Sequence, residues 1–96
     1  MMIMDNEEIS ITLTSHAKIK IRQRNIDLGQ IKKIVSNPEL TEPDKFDESL
    51  THFIGSIEGK FLRVICRKKS KKELLIISAF FDRRLTRRKK DDKNQL

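Results

Sequence analysis

A histidine and two cations recur at intervals of four residues near the start of the chain: His16, Lys20 and Arg24. At helical spacing these three side chains share one face. Imidazole exchanges a proton near neutral pH, and the cations could hold a phosphate or stabilise its extra charge in a transition state. The segment therefore suggests a phosphate-handling site. The alternative, which a lone histidine favours, is that His16 packs at a strand–helix junction and bonds a backbone group.

Two arginines, Arg63 and Arg67, form a second candidate group. With the two-residue period of a strand they share one face with Phe61 and Ile65. Guanidinium groups bind phosphate in a bidentate manner that lysine cannot reproduce. Cross-strand pairing with Asp or Glu explains the arginines equally well. A neighbouring predicted strand carries His52, and the strand register, which the sequence pattern leaves open, decides whether it faces them.

The charge is distributed unevenly along the 96 residues, which carry a net charge of +7. Residues 1–59 hold seven lysines and arginines against ten acidic residues, and residues 60–96 hold fourteen against four. A basic half of this kind suits a polyanion, nucleic acid first, and also an acidic protein. The candidate phosphate-backbone contacts near the C-terminus are Arg83, Arg84, Arg87 and Arg88. Such a tail can equally serve solubility alone.

Several classes of site and location receive no support from the sequence. Two distant histidines and one cysteine match no metal-ligand spacing, and no glycine-rich phosphate loop occurs, so we expect neither metal nor cofactor. Cys66 lies in an apolar run and is expected to be a small buried hydrophobe. A single cysteine cannot form an internal disulfide, which favours a reducing, cytoplasmic setting. The sequence has no apolar stretch of about 18 residues and no secretory signal, so we expect neither a transmembrane helix nor secretion. The oligomeric state cannot be derived.

Local signals predict two helices after a strand that begins near Ile9. We expect the first helix from about Ser15, because Thr14 and Ser15 can cap it, although apolar alternation through Ile21 also fits one long strand. Asp27, with Gln30 three residues later, predicts the start of a second helix. Asn37-Pro38 ends that helix, because proline disfavours helical geometry in the residue before it.

The rest of the chain is predicted to form strands. The first is a weak, polar segment at Leu40–Phe46, broken by Pro43 and hence an edge strand or a loop. Strands follow at Leu50–Ile57, Phe61–Arg67 and Glu73–Phe81, and the last of these is the most apolar and is expected at the sheet centre. Glu58-Gly59 suits a two-residue hairpin turn. The prediction is an α+β domain at residues 9–82: two N-terminal helices packed on a mainly antiparallel sheet of four to five strands, in the order β-α-α-β-β-β. Residues 1–8 would be a flexible lead-in and residues 83–96 a basic mobile tail.

These elements contain a pattern that resembles small prokaryotic domains of unknown function in the neighbourhood of RelE/ParE- and BrnT-like toxins. The pattern reads T-x-H-A-x-x-R-x-x-x-R-G-I, followed by N-P-x-x, an L-R-V-V strand and a final apolar strand. The matching segments are Thr14-Ser15-His16-Ala17, Arg24-Asn25-Ile26, Asn37-Pro38-Glu39-Leu40, Leu62-Arg63-Val64-Ile65 and Leu75-Ile76-Ile77-Ser78. The chain departs from the pattern at two positions: it has Lys20 where the pattern has arginine, and Asn25 where the pattern has glycine.

The resemblance implies a toxin-like fold in which a positively charged sheet face cleaves RNA without a metal and an acidic antitoxin covers it. On this basis we expect an RNA-interacting domain, with metal-independent endoribonuclease activity as the more specific hypothesis. His16 would transfer the proton, while Arg63, Arg67 and Arg24 would hold the phosphate with help from Lys20. This site requires the helix start to lie beside Arg63 and Arg67. The alternative is a non-catalytic module that binds nucleic acid or an acidic protein through its basic C-terminal half.

Overall fold

The structure, a computed structural model, describes residues 9–85 of the chain. Its elements in chain order are β1 (Ser10–Leu13), α1 (Ser15–Gln23), α2 (Leu28–Ser36), β2 (Leu40–Pro43), β3 (Leu50–Ile57), β4 (Lys60–Ser70) and β5 (Glu73–Phe81). Residues 83–85 are also helical. The α+β prediction is therefore confirmed. The predictions for residues 1–8 and for Arg87 and Arg88 lie outside the described residues.

Side chains at the helix starts explain where the two helices begin. The Thr14 hydroxyl accepts a hydrogen bond from the Ala17 amide at 3.0 Å, which decides between helix and long strand in favour of the helix. Asp27 and Gln30 form the predicted capping box, in which each side chain bonds the other residue's backbone amide. Between the helices Asn25 takes a positive φ of 55°, a conformation that asparagine tolerates.

The five strands form one mixed sheet in the order β1-β5-β4-β3-β2. β1 runs parallel to β5, and the remaining neighbours are antiparallel. β5 is an interior strand between β1 and β4, but the prediction that it is the sheet centre is wrong, because the middle strand of the five is β4. The apolar content of a strand indicates how far other elements cover it, but it does not indicate the position of the strand in the sheet.

The structure defines the strand ends more closely in two places. β2 ends at Pro43, the predicted break, and residues 44–49 form a loop. β4 continues to Ser70 instead of ending at Arg67, and only Lys71 and Lys72 form the turn before β5.

Both helices pack on one side of the sheet. On that side Leu62, Val64 and Cys66 of β4 are completely buried, as the alternation predicted. α2 approaches β3 so closely that a Cβ added to Gly55 would lie 2.7 Å from Ile34 Cδ1. The full core cluster is Ala17, Ile21, Ile26, Ile31, Ile34, Val35, Phe53, Ile57, Leu62, Val64, Cys66, Leu74, Ile76 and Ala79.

An irregularity in β5 changes which side chains face the helices. The register passes from Ile65–Ser78 to Cys66–Ile76, so Ile77 is an extra residue without a partner on β4. Ile76 and Ala79 are therefore the buried residues on the two sides of the bulge, three positions apart rather than two. As a result Phe80 is paired with Arg63 and shares its face of the sheet, the face opposite the helices.

Candidate functional site on the back face of the sheet

The side of the sheet away from α1 and α2, here called the back face, carries a polar cluster from adjacent strands. Glu42 of β2 pairs in register with His52 of β3, and Arg63 of β4 pairs with Ile54, two residues beyond His52. Directly paired residues of antiparallel strands point to the same side. The pairing therefore brings a carboxylate, an imidazole and a guanidinium together over three strands.

Arg63 connects the members of this cluster and is only 14% exposed. Its Nε donates to Asp82 Oδ2 at 2.9 Å, and its Nη1 donates to Glu42 Oε1 at 3.1 Å. The same Nη1 lies 2.8 Å from His52 Nδ1. Because arginine can only donate, His52 Nδ1 must accept, and the imidazole is neutral in this arrangement.

His52 is held on its other side by Asp44. The two form a 2.7 Å hydrogen bond between His52 Nε2 and Asp44 Oδ1. With Nδ1 accepting from Arg63, the ring proton is assigned to Nε2 and points at the carboxylate. The hydrogen bond from His52 is the main cause that lowers the pKa of Asp44, followed by the bond from the Phe46 amide. Asp44 therefore stays ionised and fixes the imidazole in one tautomer.

Asp82 closes the cluster at the end of β5. Burial raises the pKa of this carboxyl, but hydrogen bonds from the Leu85 amide and from Arg63 lower the pKa by more than burial raises it. The net shift of the pKa is therefore downward. Its Oδ1 accepts from the amides of Arg84 and Leu85 at 3.1 and 3.2 Å, so it also caps the helical residues 83–85.

A cleft of about 470 Å³ opens beside the cluster. Its polar walls come from the cluster and from the cations Lys45 and Arg84, and its apolar walls include Phe46 and Phe80. Phe46 is 95% exposed, although it is one of only five aromatic side chains in the protein. The complete lining is Glu42, Pro43, Asp44, Lys45, Phe46, His52, Arg63, Phe80, Asp82, Arg84 and Leu85.

His16, the predicted proton-transfer residue, is exposed on α1, away from this cleft. α1 packs on the core side of the sheet through Ala17 and Ile21, whereas Arg63 points to the back face. The required adjacency of the helix start with Arg63 and Arg67 is therefore absent. The pairing of Arg63 with carboxylates is the alternative that the sequence had left open.

The other predicted phosphate ligands are dispersed. Arg24 donates to the Ala79 carbonyl at 2.8 Å, and its guanidinium carbon lies 6.0 Å from the ring centre of Phe80, which lines the cleft. Arg67 contacts Asp47 at 3.8 Å, beside the loop after β2. Lys20 is partly buried on α1, Arg83 is exposed, and Arg84 lines the cleft.

Sequence reasoning did not assign roles to His52, Asp44, Asp82 or Phe46. A usable signal for His52 was present in the hairpin turn. Glu58 and Gly59 both have positive φ, 51° and 84°, as a two-residue type I′ turn requires. Such a turn pairs Ile57 with Lys60 and, counting back, His52 with Ile65, which places His52 on the face of Arg63. The contacts of Asp44 and Asp82 depend on a loop and a bulge, for which no local signal exists.

Two other kinds of chemistry lack a site in residues 9–85. In this part of the chain no group of three or more His, Cys, Asp or Glu side chains is arranged to hold a metal ion. Burial raises the pKa of the Cys66 thiol to about 12, so the reactive thiolate is scarce at neutral pH.

None of the described helices is long and apolar enough to cross a membrane.

Comparison with known proteins assigns most of the sequence to a family. Residues 13–81 match the family described as "domain of unknown function (DUF4258)". The chain belongs to the DUF4258 family. No curated protein and no solved structure matches it. The DUF4258 match includes Glu42, Asp44, His52 and Arg63, while Asp82 follows directly after its end.

Proposed function

We propose that this DUF4258 domain is a cytoplasmic RNA-interacting domain related to the RelE/ParE- and BrnT-like toxins, and that its back-face cleft is a metal-independent endoribonuclease site. The carrying observation is that His52 is held between Asp44 and Arg63 at a cleft with further cations. A neutral imidazole oriented by a carboxylate is suited to proton transfer. The sequence resemblance supports the RNA and toxin aspects of the proposal.

The proposed reaction is attack of an RNA 2′-hydroxyl on the adjacent phosphate. The hydroxyl takes the place of Arg63 Nη1 at His52 Nδ1 and gives its proton to that nitrogen, while the 2′-oxygen forms a bond to phosphorus. The bond to the 5′-oxygen breaks, and this oxygen takes a proton from water. The His52 imidazolium then gives its Nδ1 proton to the remaining hydroxide, which restores the neutral ring. The products are a 2′,3′-cyclic phosphate and a 5′-hydroxyl end, so DNA is not a substrate.

The neighbouring groups have separate roles in this scheme. Asp44 keeps the second imidazole proton on Nε2 and stabilises the imidazolium that forms. The contacts of Arg63 with described residues use Nε and Nη1, so Nη2 would meet a phosphate oxygen and stabilise its developing charge. Lys45 and Arg84 would hold neighbouring phosphates by charge.

The test is cleavage of an end-labelled RNA by purified protein in the presence of a chelator. His52→Gln keeps a hydrogen-bonding side chain but cannot transfer the proton, and it should reduce the rate by about 100-fold or more. His16→Gln is the matched control and should cleave at the wild-type rate. Equal rates for wild type and His52→Gln would refute the site, and loss of cleavage in His16→Gln alone would return the chemistry to α1.

A second candidate function is a non-catalytic module that binds a nucleic-acid backbone or an acidic, antitoxin-like protein. It is favoured by the four exposed lysines at the end of the β4–β5 hairpin, Lys68, Lys69, Lys71 and Lys72. Binding of this type weakens steeply with salt, because each phosphate contact releases counterions. Changing these lysines to Gln should flatten the salt dependence of RNA binding, and the module hypothesis further requires that wild-type protein yields no cleavage products.

A further inference from the structure

Phe46 combines high exposure with a position at the cleft. Removing a large apolar side chain from water lowers the free energy of the protein, yet Phe46 is 95% exposed. Phe46 also lines the same cavity as His52 and Arg63. A single exposed aromatic residue needs no explanation in itself. The combination with the cleft, and with the rigid loop that carries the ring, suggests a ligand that stacks on it.

Hydrogen bonds fix the loop that carries Phe46. The amides of Phe46 and Asp47 both donate to Asp44 Oδ2 at 3.0 Å. Asp47 Oδ1 accepts from the amide and the hydroxyl of Ser49 at 2.9 and 2.6 Å. The loop is closed where the Asp44 amide donates to the Leu50 carbonyl at 3.1 Å. The backbone at Phe46 is therefore already ordered before any ligand arrives.

The same carboxylate connects Phe46 to His52. One oxygen of Asp44 accepts from the Phe46 amide, and the other accepts from His52 Nε2. The backbone position of the aromatic residue is thus fixed relative to the imidazole by one side chain. Lys45 precedes the ring, and Arg84 lies on the cleft wall, so cations accompany the aromatic surface beside the carboxylates Glu42, Asp44 and Asp82.

We propose that Phe46 is a stacking platform for an unpaired nucleobase, which makes single-stranded RNA the ligand of the cleft. The identity of the ligand as RNA rests on the proposed function, and the stacking contact deepens it. Aromatic side chains stack on any base face, whereas the bases of a duplex are already stacked on one another. Duplex RNA should therefore bind less tightly at this cleft than a single strand of the same sequence.

The experiment uses the absence of Trp and Tyr from the chain. In full-length Phe46→Trp the only indole is at the cleft, and a short single-stranded RNA should quench its fluorescence saturably, while the matched duplex should not. Ile19→Trp is the control, because Ile19 is 55% exposed on α1, on the other side of the sheet, and its fluorescence should not change. Phe46→Ala should weaken single-strand binding by roughly 10-fold, whereas Phe46→Trp retains it.

The outcomes separate this inference from the proposed function. Cleavage of RNA by the wild type, without quenching of Phe46→Trp and with unchanged binding by Phe46→Ala, would overturn the stacking platform and leave the endoribonuclease standing. Quenching by a single strand without any cleavage would support the platform and refute the enzyme. Absence of all RNA binding by the wild type would overturn both.

Discussion

The two faces of the sheet differ although one strand, β4, contributes to both. Toward the helices it presents Leu62, Val64 and Cys66, which are completely buried. Toward the back face it presents Arg63, which is mostly covered, and Arg67, which is more exposed, and both make polar contacts. Alternate positions of one strand therefore have different roles. The side chains that face the helices pack in the core, and those on the back face hold charged groups beside a cleft.

The chain's two histidines follow the same division. His16 lies exposed on α1, on the helix side, whereas His52 lies on the back face between Asp44 and Arg63. Residue type and spacing pointed to His16, because a series of cations surrounds it in the sequence. Under the proposed function the contacts favour His52, since proton transfer depends on the groups that hold an imidazole and on an open space beside it.

The largest stability effect should come from the core side of β4. Leu62→Ala should lower the free energy of unfolding by about 3 kcal/mol, because it leaves a cavity among side chains that are already closely packed. Urea denaturation followed by circular dichroism measures this loss. A loss below about 1 kcal/mol would mean that the helices repack over the sheet, and it would remove the contrast between the faces.

A smaller effect should distinguish the two arginines of the back face. Arg63→Ala leaves Asp82, Glu42 and His52 without their common donor and should cost about 2 kcal/mol of unfolding free energy. Arg67→Ala, the matched control, removes a side chain that is 43% exposed and should cost about 0.5 kcal/mol or less. Equal losses in the two variants would show that the Arg63 network contributes nothing beyond an ordinary surface pair.

The smallest effect concerns acid stability. Asp44 and Asp82 have pKa values below the ordinary 3.8 in the folded protein, so the unfolded chain binds protons first as the pH falls. Their stabilisation is complete above about pH 3.8 and is lost as the pH drops toward the folded-state values. In Asp82→Asn, denaturant unfolding at a series of pH values should depend less on pH below this point. An unchanged pH dependence would contradict the lowered pKa that the hydrogen bonds from the Leu85 amide and from Arg63 give this carboxyl.

The elements that sequence reasoning predicted correctly are those with local causes. The boundaries of α2 follow from Asp27, Gln30 and Pro38, and the hairpin follows from Glu58-Gly59. The strand order was not accessible, because the pairing of β1 with β5 joins segments far apart in the chain.

The candidate site was predictable only in part, and for the same reason. The face on which Arg63 lies was predicted correctly, since strand alternation is a local rule, while its role in a site stays a prediction. The bulge at Ile77, which puts Phe80 on the back face, has no sequence signature here, and Asp44 reaches His52 from a loop whose path depends on its own hydrogen bonds.

The central claim is that ligand chemistry belongs to the back-face cleft and not to the start of α1. Because the chain has two histidines, a long-range ¹H–¹⁵N spectrum of the imidazoles distinguishes them directly. Titration with a short, 2′-O-methylated single-stranded RNA, which cannot be cleaved, should shift the ring signals of His52 and leave those of His16 in place. Shifts confined to His16 would contradict the account and favour the basic face of α1 as the binding surface.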